Sequence, residues 1–210
     1  MIKLDIHAEE QFERIHTILR SVPGGVEKAM HGVMTRATST ARKTALDGIT
    51  SVYDIKSGDV RNRKNTTINM RTRKTDEGII GEITFSGVKI PLYRFGVSPK
   101  KPTKQGVKVP VNIGGRWAMV QPGATASARQ KKSSSMTTFE NAFIATMTSG
   151  HIGMFERKSR NSSKITEIMG ASTAQMVENA DVLEKVESEV MATIQKRTEH
   201  EITRILNGYT

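Results

Sequence analysis

Cysteine is absent from all 210 residues. A disulfide framework, a thiolate nucleophile and a zinc finger go with it, and a chain that works in a reducing cytoplasm is expected. Aromatics are scarce, with one Trp, three Tyr and six Phe, and the apolar fraction is only 36%. A core with so few large side chains is modest for this length, and some segments are expected to order only on assembly. No window approaches about 18 uninterrupted apolar residues, and Met1-Ile2-Lys3-Leu4-Asp5 opens no signal-peptide hydrophobic region, so neither a membrane span nor secretion is expected. Between Glu82 and Glu140 there is no acidic residue at all.

What is present is positive charge, and it is central. The formal net charge is +11. Residues 1–63 carry ten Lys and Arg against eight Asp and Glu, residues 64–165 eighteen against five, and residues 166–210 four against eight. Lys100, Lys101, Lys104, Arg129, Lys131 and Lys132 fall in stretches rich in small and polar residues, 98–105 and 124–136, which read as exposed basic loops. Such a span attracts polyanions or an acidic partner surface, and mobile cations neutralise phosphates without reading base sequence. Plain solvated surface is the competing explanation.

Periodicity organises the rest. Phe12, Ile15, Ile18 and Leu19 recur at helical steps over 8–20, ahead of Pro23-Gly24-Gly25. A longer helix is expected over 25–46, with Val26, Met30, Val33, Ala37, Ala41 and Ala45 on one face and Gly48 as its stop. From Thr66 the period changes to two, predicting a hairpin around 75–78, a second around Gly114-Gly115, and a mobile loop over 124–135. Two apolar runs, 143–147 and 152–155, flank Ser149-Gly150 as a third hairpin. Ile165, Ile168 and Met169 recur at helical spacing, and Met176, Ala180, Leu183, Val186, Val190, Ile194, Ile202 and Ile205 continue it. This predicts a C-terminal helix of about 30 residues, or two broken near Asn179. The expected fold is α+β, one domain over 1–210: residues 1–50 helical, 66–158 β-rich, and 164–210 a helical C-terminal arm. In it a small, mostly antiparallel sheet is packed by the long helix, with N- and C-terminal helices outside it.

The stretch Ala142-Phe143-Ile144-Ala145-Thr146-Met147, Ser149-Gly150-His151, Gly153, Phe155 and Arg157, then Ile165, Glu167, Gly170 and Ser172, resembles the minor tail protein Z family of tailed bacteriophages. Upstream, Ile90-Pro91-Leu92-Tyr93-Arg94-Phe95-Gly96 and Gly106-Val107-Lys108-Val109 sit where that family has a similar segment. The chain departs from the family at Lys164 and Ala171, where prolines are expected, which bears on local turns. The resemblance implies a structural virion protein, made in the host cytoplasm, that completes the tail and joins it to the head. It also implies a homo-oligomeric ring at the neck, six copies by analogy with the tail tube. Partners implied are other neck and tail proteins, such as a tail terminator and a head–tail connector, with genomic DNA in the lumen and no membrane.

Chemistry is sparse. No phosphate-binding glycine loop ends in Gly-Lys-Ser/Thr, and no His-Glu-x-x-His occurs among the five histidines. Ser149 stands beside His151, but a tight turn between them does not aim both at one proton. Asp54 with Asp59, or Asp76 with Glu77, are the nearest approach to nuclease carboxylates. No enzyme activity, cofactor, catalytic residue or metal site is expected. Gly150, His151, Gly153, Phe155 and Arg157 are read as a structural turn motif, and Trp117 as a core residue rather than a base-stacking one. Val186, Val190, Ile194, Ile202 and Ile205 are expected to pack on a neighbouring subunit. The alternative function, from another class, is a cytoplasmic DNA- or RNA-binding accessory protein that uses the same basic loops without reading sequence.

Overall fold

Glycine and alanine decide how the long helix is used. In the computed structural model, which describes residues 2–6, 8–62, 65–75, 78–102, 109–113, 116–120, 125–157 and 165–208, α1 spans Glu9–Leu19, α2 Gly25–Val52 and the short α3 Ser57–Arg61. Helix α2 runs through Gly48 instead of stopping there. A Cβ at Gly48 would sit 3.1 Å from Val182 Cγ1, so this glycine lets a second helix approach. The buried face of α2 is Ala29, Val33, Ala37, Ala41, Ala45 and Ile49, mostly small, as the alanine spacing predicts.

The chain divides into two compact units, Met1–Ser51 with Val60–Val88 and Ser172–Thr210, and Val52–Asp59 with Lys89–Ala171. In the first, β1 (Ile2–Ile6), β2 (Thr67–Thr75) and β3 (Gly78–Ser86) form an antiparallel sheet in the order β1-β3-β2. The hairpin of β2 and β3 matches the period-two reading. Strand β1 was not foreseen, since five residues of Ile2-Lys3-Leu4-Asp5-Ile6 are too few to establish a period. Leu4, Ile6, Ile83 and Phe85 enter the core beside Phe12, Ile15 and Leu19 of α1.

The C-terminal helical pattern resolves into α4 (Thr173–Val177) and α5 (Ala180–Leu206), the broken form of the expectation. Each start has its cap. Ser172 Oγ accepts from the Gln175 amide while Gln175 Oε1 accepts from the Ser172 amide, a reciprocal capping box. Asn179 Oδ1 accepts from the Asp181 amide at 3.2 Å. Helices α2 and α5 then run antiparallel: Gly48 meets Val182, Thr193 Oγ1 donates to Thr40 Oγ1 at 3.1 Å, and Gly32 meets the Glu201 carboxylate. Val182, Val186, Val190 and Ile194 are completely buried, Val182 against Gly48, and Ile202 and Ile205 nearly so. This corrects the expectation that Val186, Val190, Ile194, Ile202 and Ile205 pack on another subunit, because the chain's own elements already cover them.

The second unit is built from short antiparallel strands. Strands β4 (Lys89–Pro91) and β13 (Met169–Ser172) pair; β5 (Gly96–Ser98), β8 (Thr125–Arg129) and β9 (Thr137–Glu140) form a sheet in the order β5-β8-β9. Strands β6 (Val109–Ile113) and β7 (Arg116–Val120) form the second expected hairpin, its Gly114-Gly115 turn lying outside the described residues. Strands β10 (Ala142–Thr146), β11 (Ile152–Arg157) and β12 (Ile165–Glu167) make a further three-stranded sheet, with the predicted turn at Ser149-Gly150, where Gly150 adopts φ +80°.

Two sequence expectations fail here. Residues 165–172 are strands, not helix: Glu167 pairs with Phe155, and the Ile168 amide donates to Met154 O at 2.8 Å, so tertiary pairing overrides the helical spacing of three apolar residues that are only partly buried or exposed. Residues 125–129, expected within a mobile loop, form strand β8, in which Ala126 and Ala128 are buried and alternate with Ser127 and Arg129. The period of two was written in residues too small to register as apolar.

Candidate functional site

Arg129 and Gly96 lie opposite each other in the β5–β8 register. Immediately after α2, the Asp54 amide donates to Gln130 O at 2.8 Å and the Lys132 amide to Val52 O at 2.9 Å, which ties residues 52–54 to the end of β8. Asp54 is thereby aimed at Arg129, whose Nε donates to its Oδ2 at 2.7 Å. The carboxylate occupies the space that a Cβ at Gly96 would take. Only glycine fits there without moving Asp54.

Around this pair opens a cavity of about 810 Å³. Its cations are Lys56, Arg94, Lys100, Arg129 and Lys132, against two carboxylates, Asp54 and Asp59. Arg94 Nη1 lies 3.4 Å from Asp59 Oδ1. Both carboxylates are therefore engaged by guanidinium groups and neither stands ready as a base or as half of a metal-binding pair. Lys56 and Lys100 have no ion-pair partner among the described residues. Tyr93 Oη donates to Lys100 O at 3.0 Å, fixing the backbone that presents the lysine. The partly exposed pairs are screened by solvent, so the excess cations leave the pocket positive. Tyr93, Phe95, Val97 and Met136 supply apolar wall. The arrangement suits an anionic group, and no nucleophile–base pair is formed among its described lining residues.

Residues that carry the sequence motif meet elsewhere in the same unit. His151 Nε2 and Glu167 Oε1 are 2.7 Å apart, bridging the turn before β11 and strand β12. The contact passes over Gly153, where a Cβ would strike Glu167 Oε1 and lie 2.9 Å from the Phe155 ring. Phe155 stacks edge-on to His151, centroids 6.3 Å apart, and tilts against Phe143 at 6.2 Å. Gly170 does the same for Phe95: a Cβ there would come within 2.6 Å of that ring. The Leu92 amide donates to Ile168 O at 2.9 Å, joining the upstream motif to the downstream one.

The structure brings Lys100, Arg129 and Lys132 of the predicted cations to this one pocket. Lys101 is exposed beside it in sequence, and Lys131 turns instead onto the Tyr53 ring, 5.9 Å from its centroid. Lys104 lies outside the described residues, as do the side chains of Trp117 and Arg157. Arg129 is not a loop cation; it sits on β8 and is paired. Sequence reading missed Lys56 and Arg94 as members, and it weighed Asp54 and Asp59 only as nuclease carboxylates. The glycine of Arg94-Phe95-Gly96 was the available signal, since a glycine inside a strand marks a close approach. Among the described residues no group of three or more His, Asp or Glu could hold a metal ion, and no helix is long and apolar enough to cross a membrane.

No protein-family model, curated protein or solved structure matches the chain.

Proposed function

We propose that the chain is a structural virion protein that completes a phage tail and joins it to the head, as part of an oligomeric ring at the neck. One observation carries the reading: the residues on which the tail-protein resemblance rests contact each other as scaffold. Gly153 makes room for the His151–Glu167 contact and Gly170 for Phe95, so the motif specifies a packing arrangement rather than a reaction centre. A motif that encodes packing is compatible with a protein selected for assembly.

The ring is proposed to have six copies and to contact a tail terminator and a head–tail connector. Its partner surface must be sought outside the α5 stripe, which is already buried. The cationic pocket with Lys56, Lys100 and Lys132 is the candidate for an acidic face of a neighbouring ring or for DNA passing through the lumen.

The test is mass photometry and negative-stain imaging of the purified chain, alone and with tails. A closed ring that attaches to tail ends is expected. A monomer that ignores tails but binds nucleic acid tightly and in a salt-sensitive way would overturn the reading in favour of a nucleic-acid-binding accessory protein.

A further inference from the structure

A second positive site lies in the other unit, between α2 and α5. The groove there has a volume of about 450 Å³ and is lined by Arg36 and Lys43 from α2 and by Lys196, Arg197 and His200 from α5. Ser39, Thr40 and Thr193 complete it, and neither a carboxylate nor an apolar side chain takes part. Arg36, Lys43, Lys196 and Arg197 form no ion pair among the described residues, although acidic residues are plentiful on α5. Of the carboxylates beside Lys196 and Arg197 on α5, Glu199 is bound to Arg14, and Glu201 is buried, held by Arg204 at 2.8 Å, and lies 3.6 Å from His200 Nδ1.

The antiparallel register sets the spacing. Thr40 meets Thr193 and Gly32 meets Glu201, which puts Arg36 level with Arg197. Lys43 follows Arg36 by seven residues on the same helix, about 10 Å along the axis at 1.5 Å per residue. That is about three steps of a nucleic-acid strand at 3.4 Å each. The Thr40 and Thr193 hydroxyls lie 3.1 Å apart in the groove, and Thr193 Oγ1 also donates to Glu189 O at 2.8 Å. Helix-borne cations with hydroxyls between them and no apolar anchor fit a phosphodiester backbone. An acidic protein surface docks best where an apolar or aromatic centre lies inside a polar rim, and this groove has none.

We infer that the α2–α5 groove is a phosphate-backbone site for nucleic acid, binding without base readout. The inference does not depend on the tail-completion reading, since it concerns other residues in the other unit.

Fluorescence anisotropy with a labelled duplex DNA of arbitrary sequence tests it on the full chain. The variant is Arg36→Gln/Lys43→Gln/Lys196→Gln/Arg197→Gln, whose changes fall on surface side chains without ion pairs. Its slope of log affinity against log salt should be shallower than wild type by about 3 to 4, equivalent to about 100-fold of affinity between about 50 and 200 mM salt. Lys56→Gln/Lys100→Gln/Lys132→Gln, in the other pocket, should leave that contribution in place, and the charge-conserving Arg36→Lys/Arg197→Lys should keep most of the slope. An unchanged slope in the folded quadruple variant overturns the inference. So does polyglutamate that binds the wild type as tightly as the duplex and loses affinity equally in the variant, which would make the groove an acidic-protein site.

Discussion

His151 and Glu167 meet across Gly153, their side chains 2.7 Å apart over the one position in β11 that has no side chain of its own. Gly150, three residues earlier, is glycine for a different reason: its φ of +80° is left-handed, and a Cβ there would meet nothing within 4 Å. The two glycines therefore respond differently to alanine. Gly150→Ala should cost about 1 kcal/mol, the conformational penalty alone. Gly153→Ala must displace Glu167 and the Phe155 ring, and should cost about 1–3 kcal/mol as overpacking does. Adding Glu167→Gln to each in urea denaturation separates them: the second change should be non-additive with Gly153→Ala and additive with Gly150→Ala.

Elements with strong periods were legible in the sequence and weakly marked ones were not. The α1 stripe Phe12-Ile15-Leu19 and the alanine face of α2 became helices facing the core, and three hairpins stand where alternation met a turn. The α5 stripe is helical as its spacing predicts, but its destination differs: a count of few aromatics suggested a core too small to cover it, whereas the chain buries Val186, Val190, Ile194, Ile202 and Ile205 itself and seats Val182 against Gly48 of α2. Strands β12 and β13 are short and rest on pairing with other segments, which no local pattern encodes, and β8 writes its period of two in alanines. The pocket was half visible, because Lys100, Arg129 and Lys132 stand in an acid-free span while Asp54 and Lys56 arrive from the end of α2. The α2–α5 groove was invisible. It collects four cations from two segments whose summed charges are nearly balanced or negative.

The Asp54–Arg129 pair lowers the positive charge of the pocket. Its side chains are about one-third exposed, so its contribution to stability is small, and Asp54→Asn should change the urea midpoint little. Releasing Arg129 from its partner should strengthen binding of tripolyphosphate by about two- to five-fold, the scale of one partly exposed charge. Lys100→Gln/Lys132→Gln should weaken it. Isothermal titration calorimetry at low salt reads both, and equal affinities in all three proteins would show that the pocket does not hold anions.

Glu82 gives the first unit a defined acid response. The residue is 4% exposed, and Lys3 Nζ lies 3.3 Å from Oε2 while Arg71 Nε and Nη2 both reach Oε1 at 2.9 Å. Burial pushes the carboxyl up, and the Lys3 and Arg71 charges more than offset this, holding it below the ordinary carboxylate value. A carboxyl depressed by folding stabilises fully above its unfolded-state value, and that stabilisation is lost as pH falls through the folded one. Glu82→Gln should therefore lower stability at neutral pH and flatten the loss between about pH 5 and pH 2, because the wild type alone takes up the extra proton on unfolding. Urea midpoints of the two proteins should converge toward the acid end; a constant gap would place the effect in packing rather than in charge.

The burial of the α5 stripe changes what a C-terminal truncation means. Had Val186, Val190, Ile194, Ile202 and Ile205 been an intersubunit surface, a chain cut after Asn179 would fold and merely fail to assemble. With these residues at 5% exposure or less inside the subunit, the cut strips α2 and α1 of their cover, and the first unit should lose cooperative unfolding altogether. Point variants resolve this more finely, because a buried face is sensitive to volume and a free surface is not. Ile194→Ala should cost about 2–5 kcal/mol at every protein concentration, as truncation of a fully buried isoleucine does. Four residues along the same face, Thr198 is 1% exposed and its hydroxyl has no partner among the described residues. Thr198→Val removes that buried oxygen with almost no change in shape, so it should stabilise by about 1 kcal/mol, the lower end of the cost of an unpartnered hydroxyl. Opposite signs for two changes one turn apart are the signature of an interior. Were α5 an intersubunit face, both effects would instead depend on protein concentration, and a dilution series of thermal melts distinguishes the two.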